Sequence, residues 1–467
     1  MRKLLVLVLL LAGLLAGSSY WCGQHTEERY QALLAQLSHN GPVTFSDAGY
    51  RRGLFRSETR TAVSLPQPDG PPLRLVLLQR IWHGPFPLGL DDAGSWHFGP
   101  LLAFVQTTVA TDGDNAEWRS FPPLAGSYAR TAIRGDGGAT LRLTLAPWRQ
   151  SRAQDTQLGI DWQGLEAVIS FSGDLRSYSG TVTLPNLQAE TRDGTFQLKA
   201  GSLGLDIHTG PDGLALGDLS FAADELTAVP GVKSARTVTL GGISMHESAS
   251  AAGDAVDYGI SLGLDSIRLG DAEYGPGGFE LHAKHLDARA LQALRLALER
   301  SELRSGDATD QSTARQADYR QALADLLNHD PTLELRFLSL KTADGEFWAR
   351  GSAKMASGDL GGTQDFSALR ANLSAEGELL VSKALLKTIL TARQRQALQA
   401  DRSSSGPSPA ATRELETLAA RRADAQIESL TSSGQIVTEG DSYRSFASFN
   451  GGRLHFADTP PAEPAKP

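Results

Sequence analysis

The chain opens on an apolar block. Leu4 to Ala16 holds thirteen residues, apolar throughout apart from Gly13, and Arg2 and Lys3 stand in front of it. A positive start followed by such a run has the layout of a Sec-type export signal. A membrane-spanning helix needs about 20 residues. Leu4 to Cys22 reaches that length when Ser18, Ser19, Tyr20 and Trp21 lie at the far interface, where amphipathic aromatic rings are favoured. Residues 1–22 are therefore read as a signal anchor, with its basic end cytoplasmic. The second reading is a signal peptide, removed at the small residues Ala16 and Ser18. Beyond it, Tyr30, Leu33, Leu34 and Leu37 recur at helical spacing, so the helix continues over 23–41 until Ser38-His39-Asn40-Gly41-Pro42 stops it.

From 43 to 284 the period shortens to two. Leu141, Leu143 and Leu145 alternate with Arg142 and Thr144, as on a half-buried strand. Asp112-Gly113, Asp136-Gly137, Asp193-Gly194 and Asp212-Gly213 supply hairpin turns between such runs. Residues 285–331 then read as a helix pair. Leu286, Ala290, Leu291, Leu294 and Leu298 form one apolar face; Leu323, Leu326 and Leu327 belong to a second helix, which Pro331 ends. Strands return in 332–378 through the Asp344-Gly345 turn. A second helix pair fills 382–430, with Leu385, Leu386, Ile389 and Leu390 inward and a Ser/Pro/Gly linker at 401–409. A hairpin over 433–457, turning at Asn450-Gly451, closes the fold, and the proline-rich tail 458–467 is expected to be disordered. The fold class is α+β, mainly β. It comprises a large curved antiparallel sheet system, four amphipathic helices in the C-terminal half and one N-terminal signal-anchor helix.

Composition narrows the function more than it defines it. A net charge of -9 over 467 residues argues against a nucleic-acid partner. Cys22 is the single cysteine, which excludes an intramolecular disulfide and multi-cysteine metal sites. A lipidated cysteine wants small residues before it, whereas Tyr20 and Trp21 precede this one. Walker, HExxH and dinucleotide-binding patterns are absent, and no cofactor or metal is expected. His83, beside Gly84 and Pro85, could serve as a base or a ligand. No partner is spaced for it beyond Asp91, Asp92 and His97, so it is read as hydrogen-bonding the turn that Gly84 and Pro85 define. Arg51, Arg52 and Arg56 form a basic cluster just past the anchor. Contact with anionic headgroups is one reading, at about 1 kcal/mol per basic residue; solvation or cross-strand pairing is the other.

Two segments carry a resemblance. Gly49-Tyr50-Arg51-Arg52-Gly53-Leu54-Phe55-Arg56-Ser57 and Ile81-Trp82-His83-Gly84-Pro85-Phe86-Pro87 resemble, in order and spacing, the two marks of the YdgA-like (YdgA/YihF) family of bacterial envelope proteins. The last hairpin, with Tyr443, Phe449, Asn450, Gly451 and Gly452, resembles that family's closing strand pair, although the usual NG dipeptide near the very end is missing. The resemblance implies a single-pass inner-membrane protein with its bulk in the periplasm, with a homodimer as a candidate state and no chemistry attached. The motif residues Gly49, Tyr50, Arg52, Gly53, Leu54, Phe55, Ser57, His83, Gly84 and Pro85 come without a known role. The expected function is a non-catalytic binding or scaffolding protein with a lipid as candidate ligand, because Leu73 to Leu78 carries apolar residues on both strand faces. The alternatives are a dimerising structural protein and, least favoured, a hydrolase using His83 with Asp91 or His97.

Overall fold

The computed structural model describes residues 2–39, 43–67, 70–85, 101–110, 126–151, 158–210, 213–232, 236–302, 321–327, 329–356, 370–400 and 409–457. Asp91, Asp92, His97, the Asp112-Gly113 turn, linker positions 401–408 and the tail lie outside the described residues. The chain is mainly β, and every strand pairing among the described residues is antiparallel. It divides into two compact units, Met1–His208 with Pro230–Val232, and Thr209–Val229 with Lys233–Pro467.

The first unit begins with helix α1 (Arg2–His39), followed by β1 (Thr44–Arg52), β2 (Arg56–Gln67), β3 (Gly70–His83), β4 (Leu101–Val109), β5 (Tyr128–Arg134) and β6 (Ala139–Leu145). Each of these strands pairs with the next. The Asp136-Gly137 turn joins β5 to β6, Gly137 N–H donating to the Arg134 carbonyl at 3.0 Å. Further strands extend the meander: β6 pairs β9 (Leu165–Phe171), and β9 pairs β10 (Ser177–Glu190). In α1, Ser19, Cys22, Gly23 and Thr26 are buried and Tyr30 is half-buried, a stripe at three- and four-residue spacing laid on the sheet. The described residues that dock are small or polar, and much of the strand face beneath them is polar too: Ser57, Thr59, Thr61 and His83 are buried there beside Ile81 and Val63. Side chains of α1 before Gly13 lie outside the description, and among the described residues no helix is long and apolar enough to cross a membrane.

In the second unit, β12 (Ala215–Pro230), β13 (Val238–Ala252), β14 (Ala255–Leu264) and β17 (Gly277–Asp287) pair in that order. The small strand β15 (Ser266–Leu269) pairs β13, and β16 (Ala272–Tyr274) pairs β15. Leu214, Leu216, Val256 and Ala288 form a core against which Leu286 and Leu291 pack. Leu286 belongs to β17, not to the helix: Asp287 Oδ1 accepts the Ala290 N–H at 2.8 Å, an N-cap that starts α2 at Ala288 (Ala288–Glu302). A two-turn helix α3 spans 321–327, and one helical turn at 370–372 brings the helical segments among the described residues to six. Strands β18 (Thr332–Thr342), β19 (Gly345–Met355) and β20 (Leu373–Ser382) lead to α4 (Lys383–Ala400) and α5 (Pro409–Ser432). Leu385 and Leu390 of α4 are buried, whereas Ile389 is exposed. The stripe of α4 is narrower than its apolar residues suggest, because it packs along α5 and only touches β19 and β20.

Candidate functional site

The two motif segments meet beneath α1. The first is the end of β1, the turn at 53–55 and the start of β2; the second is the end of β3. Ser57 Oγ lies 2.9 Å from His83 Nε2, and His83 Nδ1 lies 3.2 Å from the Leu54 carbonyl oxygen. A carbonyl only accepts, so Nδ1 carries the proton and Nε2 of the neutral ring accepts from the serine hydroxyl. The same carbonyl also accepts from Ser19 Oγ of α1 at 3.2 Å. His83 N–H donates to the Phe55 carbonyl at 2.9 Å, and Gly84 N–H to the Leu102 carbonyl at 2.8 Å. One loop, one strand end and one helix are thus tied at a single ring.

Close approach accounts for the glycines. A Cβ on Gly84 would lie 1.7 Å from the Leu101 carbonyl oxygen, one on Gly53 would lie 2.4 Å from the Arg56 carbonyl oxygen, and one on Gly23 would lie 2.5 Å from His83 Nδ1 and Cε1. Gly49 has φ 143 where the β1–β2 register shifts, the bulge that a side chain disfavours. Further along the helix, Thr59 Oγ1 donates to Tyr30 Oη at 3.2 Å and Thr61 Oγ1 donates to Gln79 Oε1 at 2.9 Å. Tyr30 Oη also meets Thr61 Oγ1. Since Thr61 has already given its proton to Gln79, the tyrosine donates to it, and the four groups form one directed chain. Tyr50 packs its ring against Tyr30 with centroids 5.8 Å apart. Burial raises its phenol above the ordinary value, and the neighbouring Ser57 hydroxyl opposes that.

A serine on Nε2 with an acceptor on Nδ1 is the hydrogen-bond order of a nucleophile, a base and an orienting group. Burial decides against that use. Ser57 is 1% exposed and His83 2%, and α1 lies over them. A reacting carbonyl has to come within about 3 Å of the hydroxyl, and here that space is occupied by protein. Among the described residues, no three metal-ligating side chains come together.

Burial also pushes the His83 imidazole below its ordinary pKa, against the opposing pull of the Leu54 carbonyl; the Arg52 charge lowers it further and that of Glu27 raises it. Below pH 6.5, the ordinary value, the unfolded chain therefore binds a proton that the folded chain refuses. The stability this ring contributes is complete above that pH and declines as pH falls through it towards the folded value. Urea unfolding of the first unit, followed by hydrogen exchange in β2 and β3 at pH 7.5 and 5.0, should show acid destabilisation that is smaller in His83→Gln. An equal acid effect in the variant would place the sensitivity at other groups.

A family model described as bacterial protein of unknown function (DUF945) matches residues 1–461. The chain belongs to the DUF945 family. No curated protein and no solved structure matches it. Family membership carries no reaction, so the clamp has to be interpreted from its own geometry.

The outer side of the clamp is exposed and mixed in character. Leu54 is 46% exposed, Phe55 54% and Trp21 55%; Tyr20 is also exposed. Arg52 reaches back over the Tyr20 ring, 5.3 Å from its centroid, and pairs with Glu27 of α1 at 3.1 Å. Arg56 pairs with Glu58 and stands over the Trp82 ring at 5.8 Å. Arg51, Arg52 and Arg56 are all exposed around the turn. The sequence reading missed Ser57 as the partner of His83, and Ser19 and Gly23 as parts of the site. The only signal for Ser57 was its place in the first motif.

Proposed function

We propose that this protein is a non-catalytic binding or scaffolding protein of the bacterial envelope, carried on the inner membrane by α1 with its bulk in the periplasm. The observation that carries the reading is that Ser57 and His83 of the motifs are sealed under α1 while the apolar residues of the same turn face outward. Ser57 and His83 hold the helix; Leu54 and Phe55 are left for something apolar outside.

Helix length supports a bilayer as that surroundings. At 1.5 Å rise per residue, Leu4 to Ser19 covers about 22 Å, less than the roughly 30 Å of a hydrocarbon core. Docking onto the sheet starts at Ser19, before a full span is complete. The Leu54-Phe55 turn, held to Ser19, would then sit among the headgroups, with Tyr20 and Trp21 in the aromatic belt. Arg51, Arg52 and Arg56 would meet lipid phosphates at the same depth. Arg2 and Lys3 place the N-terminus in the cytoplasm. The YdgA-like motif residues are compatible with this reading, each serving the clamp or the turn.

The full chain, expressed in a Gram-negative host, is expected to resist carbonate extraction, to keep its N-terminus and to be digestible from the periplasmic side of spheroplasts. A spin label at position 55, in a Cys22→Ala, Phe55→Cys chain, is expected to collide with lipid-dissolved oxygen more than with an aqueous relaxant. Release of the protein by carbonate, with residues before Ser18 removed, would defeat the anchor. A label reporting only water would defeat the seating of the turn.

A further inference from the structure

The opposite face of the same strands carries a second feature. Side chains alternate along β2, so Ser57, Thr59 and Thr61 face α1 while Glu58 and Arg60 project the other way. Residues directly opposite on antiparallel strands share a face. The register therefore puts Arg51 of β1, Glu58 of β2, Arg80 of β3 and Gln106 of β4 in one row. The next row is Gly49, Arg60, Leu78 and Thr108. These two rows line a cleft of about 420 Å³. Arg51, Arg60 and Arg80 are exposed in it, and Gln106, 5% exposed, closes its far wall.

Glu58 is the one acid among the described residues lining this cleft, and Arg56 already pairs with it. Gly49, opposite Arg60, leaves the space over β1 open: a Cβ there would meet no atom within 4 Å. Beyond Gln106 the first row runs on through Arg130 and Arg142. A chain of net charge -9 thus concentrates positive charge on one sheet face. Such a face focuses field and attracts anions.

We propose that this cleft binds a phosphate-bearing anion, a phosphomonoester or phosphodiester, between Arg51, Arg60 and Arg80. Diagonal neighbours on a sheet stand about 7–8 Å apart, a span that lets guanidinium forks converge on one tetrahedral group. Planar, always-charged guanidinium groups match phosphate oxygens in pairs. Gln106 and Thr108 supply neutral polar groups for ester or hydroxyl oxygens, and Leu78 supplies an apolar flank. The volume lies in the range of small-ligand sites. The site stands whether or not α1 is an anchor, since a lipid headgroup and a free phosphate share this chemistry.

The test uses the full chain in a neutral detergent, with isothermal titration of two probes. Inorganic pyrophosphate represents a free phosphate, and dihexanoyl phosphatidylglycerol below its critical micelle concentration represents a headgroup. Dihexanoyl phosphatidylcholine is the zwitterionic comparison, and circular dichroism checks folding. The Arg60→Gln, Arg80→Gln double variant is expected to bind about tenfold more weakly or worse, from the loss of two charge-assisted contacts. Arg453→Gln, exposed in the second unit, should bind as the unaltered chain does. Binding of pyrophosphate alone assigns a soluble ligand. Binding of phosphatidylglycerol in preference to phosphatidylcholine assigns a lipid headgroup. If neither probe binds, or if the double variant binds as tightly as the unaltered chain, the proposal is wrong.

Discussion

Gly84→Ala is expected to unfold the β3–β4 end of the first unit. Its Cβ would be driven to 1.7 Å from the Leu101 carbonyl oxygen, 2.8 Å from the Leu101 carbonyl carbon and 2.9 Å from the Leu102 oxygen. All three are backbone atoms, so no rotamer change relieves the contact. The Gly84 N–H bond to Leu102, at 2.8 Å, and the Leu101 N–H bond to Pro85, at 3.0 Å, fix the two segments together. Relief therefore means separating the strands, which also displaces His83. The cost should reach the exceptional range for single substitutions, about 4 kcal/mol or more. Because the chain has two units, one global midpoint is a poor readout. Hydrogen exchange across β3 and β4 is the direct one, with protection lost there and kept in β18 and β19. Native protection at β3 and β4 in the variant would show that the close approach is not what the glycine serves.

Gly23→Ala should loosen α1 from the sheet without unfolding the sheet. The added methyl would press on the His83 ring, 2.5 Å from two of its atoms, and both ring nitrogens are already engaged. Overpacking of this kind costs about 1–3 kcal/mol, against which alanine regains up to about 1 kcal/mol of helix propensity. The net loss should appear as faster exchange in α1 between Ser19 and Tyr30 and as greater protease access to Ser57. Removing the ring tests the cause. In a His83→Ala background the methyl has space, so Gly23→Ala should there be neutral or stabilising. The two substitutions should thus couple by about 0.5–3 kcal/mol, as contacting residues do. Additive effects would mean that the helix and the ring are not in contact.

Legibility differed from element to element, for reasons visible in particular residues. Half-burial made strands easy: Leu141, Leu143 and Leu145 are half-buried and Arg142 is exposed, although Thr144, the other polar position of the alternation, is half-buried as well. Turn chemistry was equally direct at Asp136-Gly137 and Asn450-Gly451. Helix ends were less so, because Leu286 continues the apolar spacing of α2 while lying in β17, and only the Asp287 cap marks the boundary. The docking face of α1 was hidden, since Ser19, Cys22, Gly23 and Thr26, which are buried against the sheet, carry no hydrophobic signal. Small residues let a helix approach closely but leave no hydrophobic period to detect.

The sequence by itself determined the β-rich architecture, the apolar N-terminal helix and the residues worth noticing, because periodicity, turn residues and short motifs are local. What those residues do was decided by tertiary structure. The serine that meets His83 is distant along the chain: the β2–β3 hairpin brings Ser57, 26 residues away, to 2.9 Å. Whether that pair is a reactive centre or a clamp depended on what covers it, and α1 covers it through Gly23. The arginines of the cleft are likewise scattered at 51, 60 and 80 and become one charged surface only through strand register. Register, burial and charge convergence are properties of distant segments meeting, which a local pattern cannot encode.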